Sequence, residues 1–307
     1  MKKSVRFLLA FMLVWLTNGH TSAASAPCLQ ILIPLYIYPN WYAPADYQWP
    51  DVVSASSQVP IVAIINPASG PTPTPNSDYV RGMNDLLAAD DVKMIGYVRT
   101  DYTNQPLATV KAEIDAYANE YDTWITGIFF DEVSNVSADL AYYTEIYDYA
   151  RAKPTFDLVV VNPGTNTDEV YFSQPAADVG TIFESASASW TGYTAPGYLN
   201  QYDRSKFSMM VHGTSAESTM KQHLDLAITR GFGYVYVTDE TFAGNPWDNL
   251  PTYWDAEVEY IEQLNQTCVP TAVELSKTDA ASHLPTALIA LGLGALTVAA
   301  WRKKETA

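Results

Sequence analysis

The sequence has 307 residues with 34 acidic and 17 basic side chains, which gives a formal net charge of −17 at neutral pH. This excess of acid argues against a nucleic-acid partner, because the phosphates would be repelled. It permits a neutral or a cationic partner. Solubility in an extracellular setting explains the charge equally well, so both interpretations stay open.

The start of the chain has the three parts of a secretory signal peptide. Residues 2–6 include the basic Lys2, Lys3 and Arg6, residues 7–16 form an apolar run, and residues 22–26 are small, as at a cleavage site. The apolar run is shorter than the roughly 20 residues that a membrane span needs. We therefore expect residues 1–26 to be a signal peptide and the protein to be exported, either secreted or held at the cell-envelope surface.

A second apolar stretch, residues 284–301, lies near the other end and is followed by a basic cluster. Its length is close to the lower limit for a spanning helix, and the basic cluster favours a cytoplasmic end. We interpret residues 284–307 as a hydrophobic sorting tail or a membrane anchor, preceded by a linker at 271–283. Residues 27–270 are then a single domain, which we expect to be a monomer.

Cys28 and Cys268 are the only cysteines. They lie just before the first strand-like run and just after the last helix-like run. In an exported chain this arrangement predicts a disulfide between them. Neither lies in a cluster with a base, which argues against a catalytic thiol.

Short runs of apolar and β-branched residues predict eight β-strands, with apolar residues at helical spacing between most of them. The predicted strands are Leu29–Tyr38, Pro60–Asn66, Val92–Arg99, Ile125–Asp131, Leu158–Asn162, Val179–Glu184, Phe207–His212 and Tyr234–Thr238. The predicted helices are Ser77–Ala89, Leu107–Tyr121, Ala138–Ala152, Ala216–Arg230 and Pro251–Leu264. This alternation predicts a single (β/α)8 TIM barrel. Helices after strands one, five and six are expected to be short or replaced by loops.

Nearly every predicted strand ends in a polar or aromatic residue, at the rim where this fold carries its reactive groups. We expect substrate-binding side chains among these residues and in the following loops. The candidates are Tyr36, Tyr38, Asn66, Arg99, Asp101, Asn162, Trp190, His212, Asp239 and Trp247. Aromatic rings suit stacking on sugar rings, with loop packing as the alternative. His212 has no further histidines nearby, so no metal site is expected.

Two apolar strands run directly into acids, at Asp131-Glu132 and at Glu184. Successive strand residues face opposite ways, so only one of Asp131 and Glu132 points fully into the mouth. Glycosidic cleavage needs two carboxyl groups that flank the bond, and neighbouring acids raise each other's pKa. The alternative is a structural role, with Asp131 and Glu184 paired to Arg99 or to loop amides.

An ordered set of motifs between Leu29 and Gln263 resembles the spherulation-specific (spherulin 4-like) family. The motifs are Ile33–Pro39, Ile65–Pro71, Gly96–Thr100, Gly127–Glu132, Asn162–Gly164, Phe183–Glu184 and Tyr236–Asp239. That family is similar to barrel enzymes that hydrolyse galactosaminogalactan and related exopolysaccharides. The resemblance implies a glycosidase whose active-site groove contains Asp131, Glu132 and Glu184.

These observations together predict internal cleavage of an α-linked, galactosamine-containing exopolysaccharide without a metal or organic cofactor. Asp131 is expected as nucleophile or electrostatic stabiliser and Glu184 as general acid/base, with the reverse assignment open. Glu132 would orient a sugar amide or tune its neighbour. A partly deacetylated polymer would be cationic and would suit the acidic chain. The alternatives are a non-catalytic surface glycan-binding protein and a hydrolase of another α-linked glycan.

Overall fold

The computed structural model describes residues 28–268. In them eight parallel strands form a closed barrel in chain order, so the predicted (β/α)8 TIM barrel is confirmed. The strands are β1 (Gln30–Leu35), β2 (Ile61–Ile65), β3 (Val92–Arg99), β4 (Ile125–Asp131), β5 (Leu158–Val161), β6 (Val179–Ala186), β7 (Phe207–His212) and β8 (Tyr234–Val237). Strands such as β2, in which every residue is buried, are continuous apolar runs because both faces of the sheet are covered.

Helices connect consecutive strands around the barrel. They are α1 (Trp49–Ala55), α2 (Ser77–Leu87), α3 (Leu107–Glu120), α4 (Leu140–Arg151), α5 (Val170–Ser173), α6 (Ser187–Gly192), α7 (Glu217–Arg230) and α8 (Trp254–Thr267). The short helices α1, α5 and α6 follow β1, β5 and β6, as expected from the weak helical pattern there. Gly96 allows close packing of α3 on β3, because a β-carbon would lie 2.6 Å from the ring of Tyr117.

The predicted disulfide joins Cys28 to Cys268, with 6.2 Å between their α-carbons. Next to it, Asn265 on α8 accepts from the Leu29 amide at 2.8 Å and donates to the Leu29 carbonyl at 2.9 Å. These contacts tie the start of β1 to the end of α8, on the barrel face opposite the carboxyl ends of the strands. A disulfide fits an extracellular protein.

The predicted signal peptide (residues 1–26), linker (271–283) and tail (284–307) lie outside the described residues. Within residues 28–268, no helix is both long enough and apolar enough to cross a membrane.

Strand register brings the predicted rim residues to one mouth. Asp131 lies beside Arg99 of β3, and His212 lies beside Ala186 of β6. The pairing of β6 with β7 is irregular between Thr181 and Phe183, directly before Glu184. Such irregularities occur next to active sites, where they change the direction of a side chain.

Candidate active site

The centre of the mouth holds two acids and one amide. Asn162, directly after β5, donates from Nδ2 to Oδ1 of Asp131 at 2.8 Å and to Oε2 of Glu184 at 2.6 Å. Because both contacts share one nitrogen, the two oxygens are at most about 5.4 Å apart. Asn162 is buried, with 7% of its surface exposed. The structure thus brings Asp131, Asn162 and Glu184 together.

The turn after β5 fixes this arrangement through its backbone. The amide of Glu184 donates to the carbonyl of Gly164 at 3.0 Å, and the amide of Gly164 donates to the carbonyl of Thr181 at 3.0 Å. Gly164 has φ +63°, and a β-carbon there would lie 3.5 Å from Cβ of Glu184. The Asn-Pro-Gly sequence therefore provides both the donor to the acids and a left-handed turn that passes close to Glu184.

The surroundings of Glu184 and Asp131 affect the pKa values of the two carboxyl groups differently. Burial, and then the charge of Asp131, raise the pKa of Glu184 to about 7. Burial also raises the pKa of Asp131, but hydrogen bonds from the Glu132 backbone, Tyr97 and Asn162 oppose the increase. Acid–base catalysis by two neighbouring acids needs one that holds a proton while the other is ionised, and the raised pKa of Glu184 suits the first role.

Two tyrosines line the mouth beneath Asp131. Tyr97 on β3 donates its hydroxyl to Oδ2 of Asp131 at 2.9 Å. Its ring meets that of Tyr36 edge-on, with 5.8 Å between the centroids. Burial, followed by the charge of Asp131, raises the pKa of both hydroxyls well above the ordinary value, so they remain neutral donors.

The side chain of Glu132 takes no part in the hydrogen bonds that join the two buried acids. Its Oε2 pairs with Nε of Arg99 at 2.7 Å, and Nη2 of Arg99 pairs with Asp101 at 2.9 Å. These side chains are partly exposed at the rim, where ion pairs contribute little to stability. Arg99 therefore pairs with Glu132 and Asp101 rather than with Asp131, so the ion pair of the structural alternative is absent, whereas Asp131 does accept from the backbone of Glu132.

The loop after β3 is strained beside these acids. Asp101, Tyr102 and Thr103 have φ values of 48°, 52° and 78°, and Glu132 has φ 52°. Such left-handed conformations are uncommon in residues other than glycine, and they cluster at functional sites. The amide of Tyr102 donates to the carbonyl of Glu132 at 2.7 Å, which holds the two strained segments together.

Tyr102 consequently stands at the rim close to the acids. Its side chain is 57% exposed. Burial raises its pKa first, followed by the charges of Glu132, Asp131 and Glu184. An exposed ring held above two acids suits contact with a bound sugar. No sequence motif pointed to this residue.

A model of the family described as Spherulation-specific family 4 matches residues 30–261. This protein belongs to that family. Spherulin-4 of Physarum polycephalum is 34% identical over 257 residues, which cover 81% of this chain and 75% of the relative.

Solved structures are also similar to this chain. Sph3 from Aspergillus clavatus, solved in complex with GalNAc, has a TM-score of 0.67 and 24% identity, covering 77% of this chain and 98% of Sph3. The PgaB glycoside hydrolase domain from Bordetella bronchiseptica has a TM-score of 0.47 and 8% identity, covering 78% and 100%. The likeness to Sph3 shows a shared barrel fold.

In this family 4 barrel, the ends of β7 and β8 form an aromatic wall of the mouth. The ring of His212 lies 4.5 Å from that of Phe242 and 6.3 Å from that of Trp247, between centroids. Burial lowers the pKa of His212, so it is neutral. Trp247 is mostly buried on Tyr236, whereas Phe242 is 65% exposed. The exposed ring of this wall is therefore Phe242, which the sequence analysis did not select.

The position of Trp190 contradicts its expected role in stacking on sugar. The residue is fully buried. Its Nε1 donates to the carbonyl of His223 at 3.1 Å, and the Arg230 guanidinium lies 4.5 Å from its ring centroid. The short helix α6 directs the indole onto Phe183 and α7, so neither face is open to a ligand.

Three further candidates make contacts outside the centre of the mouth. Asn66 accepts from the Gly70 amide at 3.0 Å and so holds the turn after β2. Asp239 accepts from both the amide and the hydroxyl of Thr252, which holds the connection to α8. Tyr38 lies on the outer rim. Among residues 28–268, no group of three or more His, Cys, Asp or Glu side chains is placed to hold a metal ion.

Proposed function

We propose that this protein is a glycoside hydrolase that cleaves an α-linked, galactosamine-containing exopolysaccharide within the chain. The observation that carries this proposal is the pair of buried acids, Asp131 and Glu184, joined through Asn162 at the barrel mouth. Membership of the spherulation-specific family 4 supports it. So does the fold shared with Sph3, which was solved with GalNAc.

The raised pKa of Glu184 and the hydrogen bonds to Asp131 support one assignment of roles. Glu184, whose pKa is about 7, carries a proton and donates it to the glycosidic oxygen. Ionised Asp131, held by Tyr97 and Asn162, attacks the anomeric carbon. A bond forms between Asp131 and this carbon as the bond to the glycosidic oxygen breaks, and the leaving sugar departs as an alcohol.

Water completes the reaction. Glu184, now ionised, takes a proton from water while the water oxygen attacks the anomeric carbon, and the bond to Asp131 breaks. Retaining glycosidases have carboxyl groups about 5 to 5.5 Å apart, whereas inverting enzymes have about 6.5 to 9.5 Å. The upper limit of about 5.4 Å between the facing oxygens supports retention of configuration.

Surrounding residues would hold the sugar. Tyr102 and Phe242 provide exposed rings on two sides of the mouth. Glu132 and Arg99 form a charged edge able to contact hydroxyl or acetamido groups. The net charge of −17 favours a partly deacetylated, cationic polymer.

The test is incubation of the full-length protein with partly deacetylated galactosaminogalactan, followed by mass spectrometry of soluble products. Wild type is expected to release hexosamine oligomers. Asp131→Asn and Glu184→Gln, shown to be folded by circular dichroism, are expected to be slower by about 10³-fold or more. Glu113→Gln is the matched control, because Glu113 on α3 is another carboxyl whose burial raises its pKa to about 7.

Each alternative outcome has a defined meaning. Site variants that are folded and cut at the wild-type rate would refute these catalytic roles. Polymer that is bound but left intact by every form would indicate the non-catalytic glycan-binding alternative. The configuration of the first products, followed by proton NMR, separates retention from inversion.

A further inference from the structure

A rigid group of aromatic side chains lies beside the mouth, in the loop between β1 and α1. The Tyr38 hydroxyl donates to Oδ2 of Asp78 at 2.6 Å, and Nε1 of Trp41 donates to Oδ1 of the same residue at 2.8 Å. Arg81 lies 4.7 Å from the Trp41 ring centroid. We call these four residues the Trp41 platform.

The rings of this platform are exposed although they are fixed in place. Tyr38 is 43% exposed and Trp41 is 40% exposed. Trp49, just after this loop, behaves differently, since it is fully buried and donates to the carbonyl of Ile37 at 2.9 Å. Leaving large rings in water is unfavourable, so rings that are exposed and also clamped indicate a ligand.

Asp78 is itself held firmly. It lies in the first turn of α2, where the side chain of Asn76 accepts from the amides of Asp78 and Tyr79 at 3.0 and 2.9 Å. The bonds from Tyr38 and then Trp41 hold the pKa of Asp78 below its ordinary value, so the clamp persists in acid. The ring orientation is therefore set before any ligand binds, which reduces the entropic cost of binding.

The platform is continuous with the active site. Tyr36, which lines the mouth beside Tyr97, is two residues before Tyr38, so their α-carbons lie within about 7 Å. Among the described residues, every exposed large apolar side chain except Leu87 follows the carboxyl end of a strand. A polymer lying across this face would therefore contact both the acids and the platform.

We infer that the Trp41 platform is a second polysaccharide-binding site, which holds the substrate chain at a distance from the bond that is cleaved. This inference rests on the proposed function and extends it. The ligand is a sugar ring that places its C–H groups on the exposed part of the Trp41 ring, while Arg81 lies against one face of that ring. Hydroxyl groups of the same chain lie within reach of the Tyr38 and Asp78 edges.

The experiment uses full-length protein carrying Glu184→Gln, which removes cleavage, with and without Trp41→Ala. Binding to immobilised, partly deacetylated galactosaminogalactan is measured by biolayer interferometry. Loss of the indole is expected to weaken binding about tenfold. Leu87→Ala is the matched control, because it removes a similarly exposed apolar side chain from the far end of α2, and it is expected to bind normally.

In active protein, Trp41→Ala is expected to lower the ratio of kcat/KM on polymer to kcat/KM on short oligosaccharides by about tenfold. Polymer binding that is unchanged by Trp41→Ala would overturn the platform, and so would an equal loss on polymer and oligosaccharides. Wild type that binds the polymer without cutting it would refute the proposed function. The effect of Trp41→Ala on polymer binding would still show whether the Trp41 platform is a binding site. Absence of binding by all forms would refute both.

Discussion

Two regions of the barrel each withdraw a carboxyl group from water, with different results. At the mouth, burial raises the pKa of Glu184 to about 7. At the junction of β8 and α8, burial raises the pKa of Glu257 to about 8. Glu184 faces Asp131 through a shared amide donor, whereas Oε1 of Glu257 accepts from the Val237 backbone at 3.0 Å.

The backbone explains why an acid lies at the second region. β1 pairs with β8 only at Tyr234 and Val235, so the strands separate before Val237. The next amide, that of Thr238, donates to β7, which leaves the Val237 amide directed away from β7 and without a strand partner. Glu257 accepts from this buried donor. A raised pKa alone therefore does not identify a catalytic acid. Glu184 differs from Glu257 because a second acid, Asp131, lies beside it at the open mouth.

The largest effect expected from this contrast is in the pH profile of kcat/KM. Glu184 must be protonated to act as the acid, so activity falls about tenfold for each pH unit above its pKa of about 7. At low pH, activity falls as Asp131 becomes protonated. Glu257→Gln is expected to leave the alkaline limb in place. An alkaline limb that shifts in Glu257→Gln would instead show that Glu257, and not Glu184, is the acid that must be protonated.

The second prediction concerns stability at the β8–α8 junction. An acid whose pKa is raised from 4.5 to about 8 in the folded state contributes stability that is full below pH 4.5 and is lost as pH rises towards 8. Glu257→Gln removes this dependence, because the amide cannot ionise. Relative to the variant, the wild-type free energy of unfolding should fall by up to about 1.4 kcal/mol for each pH unit in this window.

Urea unfolding at several pH values measures this difference. Glu259→Gln, an exposed residue on the same helix, is the control and should give curves parallel to those of the wild type. A Glu257→Gln variant with the wild-type pH dependence would show that Glu257 ionises normally in the folded protein.

The smallest expected effect comes from Tyr97→Phe, which removes one donor to Asp131 and keeps the ring. The ionised form of Asp131 loses a hydrogen bond, so its pKa rises and the acid limb moves to higher pH. The rate at the optimum should fall about tenfold. Tyr117→Phe, which removes a buried hydroxyl bonded to the Ile65 carbonyl outside the mouth, is the control for lost hydroxyls. Equal pH profiles for the two variants would contradict the role of Tyr97.

The barrel could be predicted because its strands are buried on both faces and are therefore continuous apolar runs. β2 and β4 match the predicted segments to within a residue at each end. Asp131 and Glu184 stood out for the same reason, since each ends such a run. The first predicted strand was too long, because β1 ends at Leu35 and the chain then leaves the sheet to form the rim loop.

Side-chain direction could not be predicted at several positions. Trp190 was expected at the rim, but α6 turns it onto the outer face of β6, where its ring meets that of Phe183. Tyr97 was missed because an inward-facing tyrosine within a strand has the same pattern as a core residue. Tyr102 was missed because three successive left-handed residues other than glycine leave no mark in composition or spacing.

The disulfide joins the two ends of the described barrel at the pole opposite the mouth. Cys28 and Cys268 join the first strand to the last helix on the face away from Asp131 and Glu184. The polypeptide thus enters and leaves the described barrel at a single pole. A support attached to the chain at either end of the described barrel would therefore lie at the pole opposite Asp131 and Glu184 and would leave the mouth unobstructed.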